Sequence, residues 1–269
     1  MQIFRRFGDV PKRLKGSDSK SDRPSNRRGG SNPSISVMEN VLVENALYIL
    51  VLIGTAFTFV WLWSFREVLD LSASYILVIT AAYTIMDAVC VKLFAVLEHW
   101  DLSAVTGMSL FGAVFFMPGV IWALAKICHV KPGLLFDIST PGFIFMFMCG
   151  RINCLICGCC YGTYLTDTLR WPVREGEIAL YVILLIIFCV RLKKKQFTGT
   201  YYPVFLISYG IFRFAAEFVR YYEDQPYLWH RGHLCALIAL AAGIVSFILV
   251  KHYRKLHLVP PKKVLAAGE

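Results

Sequence analysis

Long apolar segments constrain the fold of this chain more than any other feature. The first, Ala46–Phe65, is an uncharged run of 20 residues that stops at Arg66. A helix of that length spans the roughly 30 Å hydrocarbon layer of a bilayer. Six more apolar segments follow, at Leu71–Leu97, Met108–Lys126, Leu134–Gly150, Ile178–Val190, Tyr201–Tyr222 and Leu234–Val250. Because lipid-exposed backbone must satisfy its own hydrogen bonds, we predict an all-α, polytopic membrane protein with about seven transmembrane helices.

The composition agrees with a membrane protein and narrows its partners. Hydrophobic residues make up 57% of the chain, and the mean hydropathy is +0.57. The net charge of +10 comes largely from lysine and arginine in the first 28 residues, one loop and the C-terminal tail, outside the apolar segments. Charges placed there favour anionic lipid as the partner, and we expect no binding to nucleic acid.

The ends of the chain differ from its middle. The N-terminal residues are basic and rich in serine, glycine, asparagine and proline, with too few apolar groups to order themselves. We therefore predict a disordered basic tail over residues 1–40, a transmembrane domain over 41–255 and a C-terminal tail over 256–269.

If the first helix enters from outside, the cytoplasmic side collects Arg66, Lys126, Lys131, Arg191 and the lysines after it. The positive-inside rule thus favours an N-out, C-in orientation.

The stretch Cys149–Gly162, CGRINCLICGCCYG, places Arg151 where an apolar segment ends. An arginine there is costly unless an anion meets it, which indicates a binding site. Gly150, Gly158 and Gly162 would let the backbone approach a ligand closely. The alternative is a snorkelling arginine followed by turn glycines.

The same stretch contains the most closely spaced cysteines of the chain. Cys154, Cys157, Cys159 and Cys160 follow the pattern C-x-x-C-x-C-C. Structural zinc sites usually combine two such groups of closely spaced cysteines or add histidines, and neither is nearby in the sequence. From the sequence we therefore expect no metal.

A second stretch, Tyr209–Arg220, carries a polar stripe on an apolar helix. Tyr209, Arg213, Glu217 and Arg220 stand at i, i+4, i+8 and i+11, which places them on a face about 80° wide. The guanidinium fork matches phosphate oxygens, and two arginines against one glutamate leave a positive charge. We predict that Arg151, Arg213 and Arg220 form a phosphate clamp. The alternative is a structural ion pair between Arg213 and Glu217.

Other polar residues receive ordinary structural interpretations. Glu177 precedes an apolar run, where the helix N-terminus stabilises an anion. Asp137 is interpreted as a cap of its own helix, and His99 as an interfacial histidine.

Together, the two stretches resemble the prolipoprotein diacylglyceryl transferases of bacterial inner membranes. That family's first motif is G-R-x-G-N-F-x-N-G-E-x-Y-G, with a branch that ends in G-C-C-Y-G, and this chain has GRINCLICGCCYG. The second motif, Y-G-x-x-R-F-x-x-E-F-x-R, is matched by Tyr209, Gly210, Arg213, Phe214, Glu217, Phe218 and Arg220. The resemblance covers about Ala46 to Lys251.

The resemblance implies transfer of diacylglyceryl from phosphatidylglycerol to a lipobox cysteine of a precursor lipoprotein, at the bacterial cytoplasmic membrane and without a cofactor. It implies catalytic roles for Arg151, Arg213, Glu217 and Tyr209, with Arg220 as a further phosphate ligand. Glu217 would orient Arg213, Tyr209 would donate a hydrogen bond to phosphate or water, and Glu217 or His99 would act as base.

The chain departs from the family in three places. Phe111 stands where the family carries histidine or tyrosine, and Cys154 and Cys159 stand where it carries asparagine and glutamate. Arg174, Glu175 and Gly176 stand where the family carries Q-L-Y. Two alternatives therefore stay open: a relative that uses another acceptor, and a phospholipid-binding or transport protein without catalysis.

Overall fold

The structure, a computed structural model, describes the backbone of residues 33–99, 109–166, 169–222 and 229–253. Side chains are described for 45–98, 109–166, 169–222 and 229–252. Contacts divide the chain into two units, Met1–Glu39 and Asn40–Glu269. Of the first unit, only the helical backbone from residue 33 onward is described, and everything below concerns the second unit. The predicted C-terminal tail, 256–269, lies outside the described residues.

Eight helices account for most of the described chain. They are α1 (Pro33–Ser64), α2 (Arg66–Leu69), α3 (Ala73–His99), α4 (Leu110–Ile127), α5 (Pro132–Ile156), α6 (Val173–Lys193), α7 (Tyr201–Glu217) and α8 (Arg231–Tyr253). The described residues contain no strand, only two isolated bridges, Gly162 with Arg220 and Tyr164 with Arg170. The predicted all-α class is confirmed.

Seven of these helices are long, and they correspond to the seven predicted segments. By length and composition, α1, α3, α4, α5 and α8 can each cross a membrane. The other two, α6 and α7, have 21 and 17 residues and carry buried charged side chains. The chain is a multi-pass membrane protein.

Glycine allows α7 and α8 to pack closely against each other. A Cβ atom added at Gly210 would lie 2.8 Å from the backbone nitrogen of Leu240, and one at Gly243 would lie 2.9 Å from that of Ile207. The two helix backbones can approach this closely because both positions lack a side chain. The contact fixes α7, which carries much of the site described below.

The start of α7 is held by α5. Asp137 is fully buried, and its carboxylate accepts hydrogen bonds from the backbone N–H groups of Thr198, Gly199 and Tyr201 at 2.6, 2.5 and 3.2 Å. Asp137 was interpreted as a cap of its own helix, and that interpretation is wrong. The carboxylate caps α7, where unpaired N–H groups and the helix dipole both favour an anion.

The end of α7 also differs from the prediction. The apolar segment extends to Tyr222, but the helix stops at Glu217 because the chain beyond it pairs with the loop after α5. The N–H of Thr163 donates to the carbonyl of Val219 at 2.7 Å, and that of Tyr221 donates to the carbonyl of Tyr161 at 3.1 Å. Arg220 therefore lies on an extended segment and not on the helical stripe.

Candidate functional site

The three predicted phosphate-binding arginines converge on one cavity of about 620 Å³. Arg151 comes from the last two turns of α5, Arg213 from α7, and Arg220 from the segment after α7. Tyr209, Glu217 and Gly150 line the same cavity. Residues that are up to 70 positions apart in the chain, from Gly150 to Arg220, are thus brought to one place.

A buried carboxylate joins two of the arginines. Glu177 Oε1 lies 2.8 Å from Arg151 Nε, and Glu177 Oε2 lies 3.7 Å from Arg213 Nη1. The hydroxyl of Tyr181 donates a hydrogen bond of 2.6 Å to Glu177 Oε1. The interpretation of Glu177 as an anion stabilised only by its own helix N-terminus is therefore wrong, because Glu177 links α5 and α7 through two ion pairs.

A second carboxylate, that of Glu217, joins Arg213 to the third arginine, Arg220. Glu217 Oε1 lies 3.3 Å from Arg213 Nη2 and 3.6 Å from Arg220 Nη1. The hydroxyl of Tyr222 donates to the same oxygen at 2.6 Å. Burial raises the pKa of Tyr222 above its usual range, so the hydroxyl remains a donor. At the start of α8, Gly232 leaves room for this carboxylate, which a Cβ atom there would overlap.

The network has more positive than negative charge. Three guanidinium groups face two carboxylates, which leaves one positive charge among these five side chains. Arg151 and Arg213 are 5% and 4% exposed, and both glutamates are at most 2% exposed. Charges removed from water are tolerated only when they are paired, so the surplus within this group favours an anion beside the three arginines. The predicted Arg213–Glu217 ion pair exists, and it forms part of this larger network.

Tyr209 presents an unpaired hydroxyl to the cavity. Its side chain is buried, and its hydroxyl oxygen has no hydrogen-bond partner among the described residues. A buried hydroxyl is costly when it lacks a partner, which favours a polar ligand group beside it. Phe111 also lines the cavity, and its ring centroid lies 5.6 Å from Arg213 Cζ.

The motif glycines serve different purposes. Gly162 forms the bridge with Arg220, and a Cβ atom there would lie 2.5 Å from the carbonyl oxygen of Trp171. Gly158 has a φ of 65°, which a turn requires and glycine adopts freely. Gly210 faces α8, so it holds helices together and does not approach a ligand.

Three of the clustered cysteines meet at the edge of the site. The sulfur atoms of Cys154, Cys159 and Cys160 all lie within 4.8 Å of one another. Cys154 and Cys160 line the cavity, and Arg220 Nη2 donates to Cys160 Sγ at 3.2 Å. A hydrogen bond from Cys154, together with the positive charges of Arg151 and Arg213, lowers the pKa of the Cys160 thiol below its usual range.

Sequence reasoning missed part of the network. Glu177, Tyr181 and Tyr222 were not predicted as site residues, although Tyr181 stands four residues after Glu177 and can reach it on one helix face. His99, predicted as a possible base, is the last residue of α3, and its side chain lies outside the described residues.

Comparison with known proteins places this arrangement in a family. The profile of the prolipoprotein diacylglyceryl transferase family matches residues 46–249 of the chain. The matched region contains both motifs and every ion pair of the network.

Individual relatives agree with the family match. A phosphatidylglycerol–prolipoprotein diacylglyceryl transferase of Dehalococcoides mccartyi is 26% identical over 201 residues, covering 65% of this chain and 77% of the relative. The protein of the same name from another strain of that species is 25% identical over 219 residues, covering 72% and 84%. The one from Campylobacter hominis is 27% identical over 208 residues, covering 71% and 72%.

Proposed function

Since the chain belongs to the prolipoprotein diacylglyceryl transferase family, we propose that it moves diacylglyceryl from phosphatidylglycerol to the thiol of a lipobox cysteine in a precursor lipoprotein. The observation that carries this proposal is the convergence of Arg151, Arg213 and Arg220 on one cavity, where the three guanidinium groups share two carboxylates. The phosphate of an anionic phospholipid is a fitting partner for such a group of arginines.

In this reaction the acceptor sulfur attacks the glycerol carbon that carries the phosphate. A sulfur–carbon bond forms, the carbon–oxygen bond to phosphate breaks, and glycerol phosphate leaves with the electron pair. The phosphate changes from a monoanion to a dianion as it leaves. Guanidinium groups fixed around it bind the developing charge more strongly than the starting charge, which lowers the barrier.

Tyr209 and Glu217 have defined roles in this scheme. The unpaired Tyr209 hydroxyl donates to a phosphate oxygen. Glu217 orients Arg213 and Arg220 through its Oε1 atom. Its other oxygen, Oε2, has no hydrogen-bond partner among the described residues. We assign Glu217 Oε2 as the acceptor of the thiol proton.

We further propose that the chain lies in the bacterial cytoplasmic membrane with its N-terminus outside and its C-terminus inside. Lysine and arginine near the ends of the apolar segments favour this orientation. It places the cysteine loop after α5 on the outer side, where a translocated precursor lipoprotein arrives.

The test is a reconstituted transfer assay. The purified full-length protein is incubated with phosphatidylglycerol labelled in its acyl chains and with a lipobox peptide, and a matched peptide with serine in place of cysteine is the control. We expect a thioether-linked lipopeptide and released glycerol phosphate with the cysteine peptide only.

Because Phe111 replaces a residue capable of proton transfer, the second candidate is a phospholipid-binding protein without catalysis. Saturable lipid binding without product, where a family enzyme turns over, would establish that candidate instead.

A further inference from the structure

The thiols of Cys154, Cys159 and Cys160 differ from the other cysteines in the described chain. Cys90 is buried in the hydrophobic core, as expected for cysteine acting as a small hydrophobe, and Cys149 is buried outside this group of three. The three thiols instead lie together at the edge of the cavity, where Cys154 and Cys160 are half-buried and line it and Cys159 is exposed beside them. Packing does not explain their grouping.

The backbone holds the three cysteines together. After α5, Gly158 and Cys160 adopt φ values of 65° and 56°, which turn the loop back toward the helix end. The N–H of Cys159 donates to the carbonyl of Cys154 at 3.1 Å. From α6, Arg174 Nη1 lies 3.3 Å from the carbonyl oxygen of Cys154 and 3.2 Å from that of Cys159. The cluster is therefore fixed by the loop, by α5 and by α6.

The geometry is close to that of a metal site. Zn²⁺ bonds sulfur at about 2.3 Å, so two sulfurs on one tetrahedral ion stand about 3.8 Å apart. The three sulfurs, within 4.8 Å of one another, need to move by only about 1 Å to share an ion. The sequence has no second group of closely spaced cysteines or histidines near these three, which argues against a structural site closed by four protein ligands. This absence does not count against a site with three protein ligands and one open position, which is the usual catalytic arrangement.

The surroundings also suit such an ion. Three thiolates and one Zn²⁺ carry a net charge of −1, and Arg220 already donates to Cys160 Sγ at 3.2 Å. Outer hydrogen bonds of this kind orient metal ligands and are part of most metal sites. Cys154 and Cys160 line the arginine cavity, so an open coordination position at the cluster lies beside the phosphate clamp.

We propose that Cys154, Cys159 and Cys160 bind a zinc-type divalent cation whose open position receives the acceptor thiol. The thiol would lose its proton to Glu217, bind the cation as thiolate, form the sulfur–carbon bond as the carbon–oxygen bond to phosphate breaks, and leave the cation as a thioether. A metal deprotonates a coordinated thiol, which supplies the nucleophile that the transfer needs. The metal site stands on the cysteine geometry alone, whereas its role toward the thiol rests on the proposed transfer reaction.

Cobalt provides a direct test of the site. The full-length protein is purified in reducing buffer, treated with a chelator, and titrated with Co²⁺ as a spectroscopic probe for zinc. We expect one equivalent to bind, with sulfur-to-cobalt charge-transfer bands and visible bands typical of tetrahedral geometry, and we expect Zn²⁺ to displace it. Each of Cys154→Ser, Cys159→Ser and Cys160→Ser should weaken binding more than the roughly 10- to 100-fold that loss of an outer-shell partner costs.

Cys157→Ser is the matched control, because Cys157 is exposed in the same loop but is not one of the three clustered thiols. This variant should bind Co²⁺ like the unaltered protein. Fully reduced protein that binds no Co²⁺ at millimolar concentration, or binds it without a sulfur band, would overturn the site. Equal loss of affinity in Cys157→Ser and the three variants would also overturn it.

A second measurement separates the metal site from the transfer reaction. Adding the lipobox peptide to the Co²⁺-loaded protein should change the visible bands, and the serine peptide should not. Transfer at an unchanged rate in metal-free protein would overturn the role of the metal and leave the proposed transfer standing. Co²⁺ binding with the expected bands, but no transfer under any metal loading, would overturn the transfer and leave the site standing.

Discussion

Arg213 is the side chain on which the charge network depends most. It lies within 3.7 Å of Glu177 and 3.3 Å of Glu217, so its removal leaves two buried carboxylates with one fewer cation each. We expect Arg213→Ala to lower kcat/KM for phosphatidylglycerol by about 100- to 1,000-fold, as loss of one oxyanion donor does elsewhere. We also expect it to destabilise the protein by roughly 3–5 kcal/mol.

Steady-state transfer assays and thermal unfolding in detergent test this prediction. Arg213→Lys keeps the positive charge but lacks the planar guanidinium that binds two oxygens at once. Compared with Arg213→Ala, it should regain most of the stability and little of the transfer activity. Arg191→Ala, at an exposed arginine near the end of α6, should change neither. An active Arg213→Ala protein would contradict the phosphate role.

Tyr209→Phe separates ligand binding from stability. The hydroxyl is buried without a partner among the described residues, so deleting it should leave the melting temperature unchanged or slightly raised. A hydrogen bond to a charged group contributes roughly 1.5–3 kcal/mol, so turnover should fall by about 10- to 100-fold. Unchanged turnover together with lowered stability would show that the hydroxyl is structural.

Sequence alone found the residues that repeat on one helix face and missed those whose partners are far away. Tyr209, Arg213 and Glu217 were predicted from their spacing, because α7 is a regular helix between them. Glu177 was misread because its partners stand 26 residues before and 36 residues after it, and no local pattern records such pairs. Asp137 was misread for the same reason, since the helix that it caps begins 64 residues later.

At the scale of elements, the contact between α7 and α8 positions the site. A Cβ atom at Gly210 would lie 2.8–2.9 Å from backbone and side-chain atoms of Leu240, so the helices would have to separate. We expect Gly210→Ala to destabilise the protein by about 1–3 kcal/mol and to reduce transfer, since α7 carries Arg213 and Glu217.

Gly119 provides the matched control for this prediction. It is also a helix glycine, but a Cβ atom there has nothing within 4 Å. Gly119→Ala should be neutral or stabilising by up to about 1 kcal/mol, because alanine has the higher helix propensity. Thermal unfolding of both variants tests the comparison, and equal effects would contradict the close-packing argument.

The helix ends were harder to predict than the helices themselves. Hydropathy predicted a helix at each of the seven long helices, and five of these are long and apolar enough to cross a membrane, because an apolar run of that length has few other outcomes. It extended α7 too far because Phe218 and Val219 are as apolar as the residues before them. The backbone bonds of Thr163 and Tyr221 that end this helix depend on the distant loop after α5.

At the scale of the whole molecule, the proposed orientation predicts which loops are accessible. Cys157, after α5, should react with a membrane-impermeant maleimide added to intact spheroplasts, because it is exposed and on the proposed outer side. A cysteine introduced by Lys194→Cys, in a variant with Cys157, Cys159 and Cys160 changed to serine, should react only after the membrane is permeabilised. The opposite pattern would reverse the orientation.

The three arginines of the cavity also have a consequence for how the proposed reaction ends. In the proposed reaction, phosphatidylglycerol brings one negative charge to the arginines, whereas the departing glycerol phosphate carries nearly two, because the second pKa of a phosphomonoester is about 6. The three arginines therefore retain the dianionic product more tightly than the monoanionic substrate headgroup. We expect product release to limit turnover, and added glycerol phosphate to inhibit competitively and more weakly at pH 5.5 than at pH 7.5.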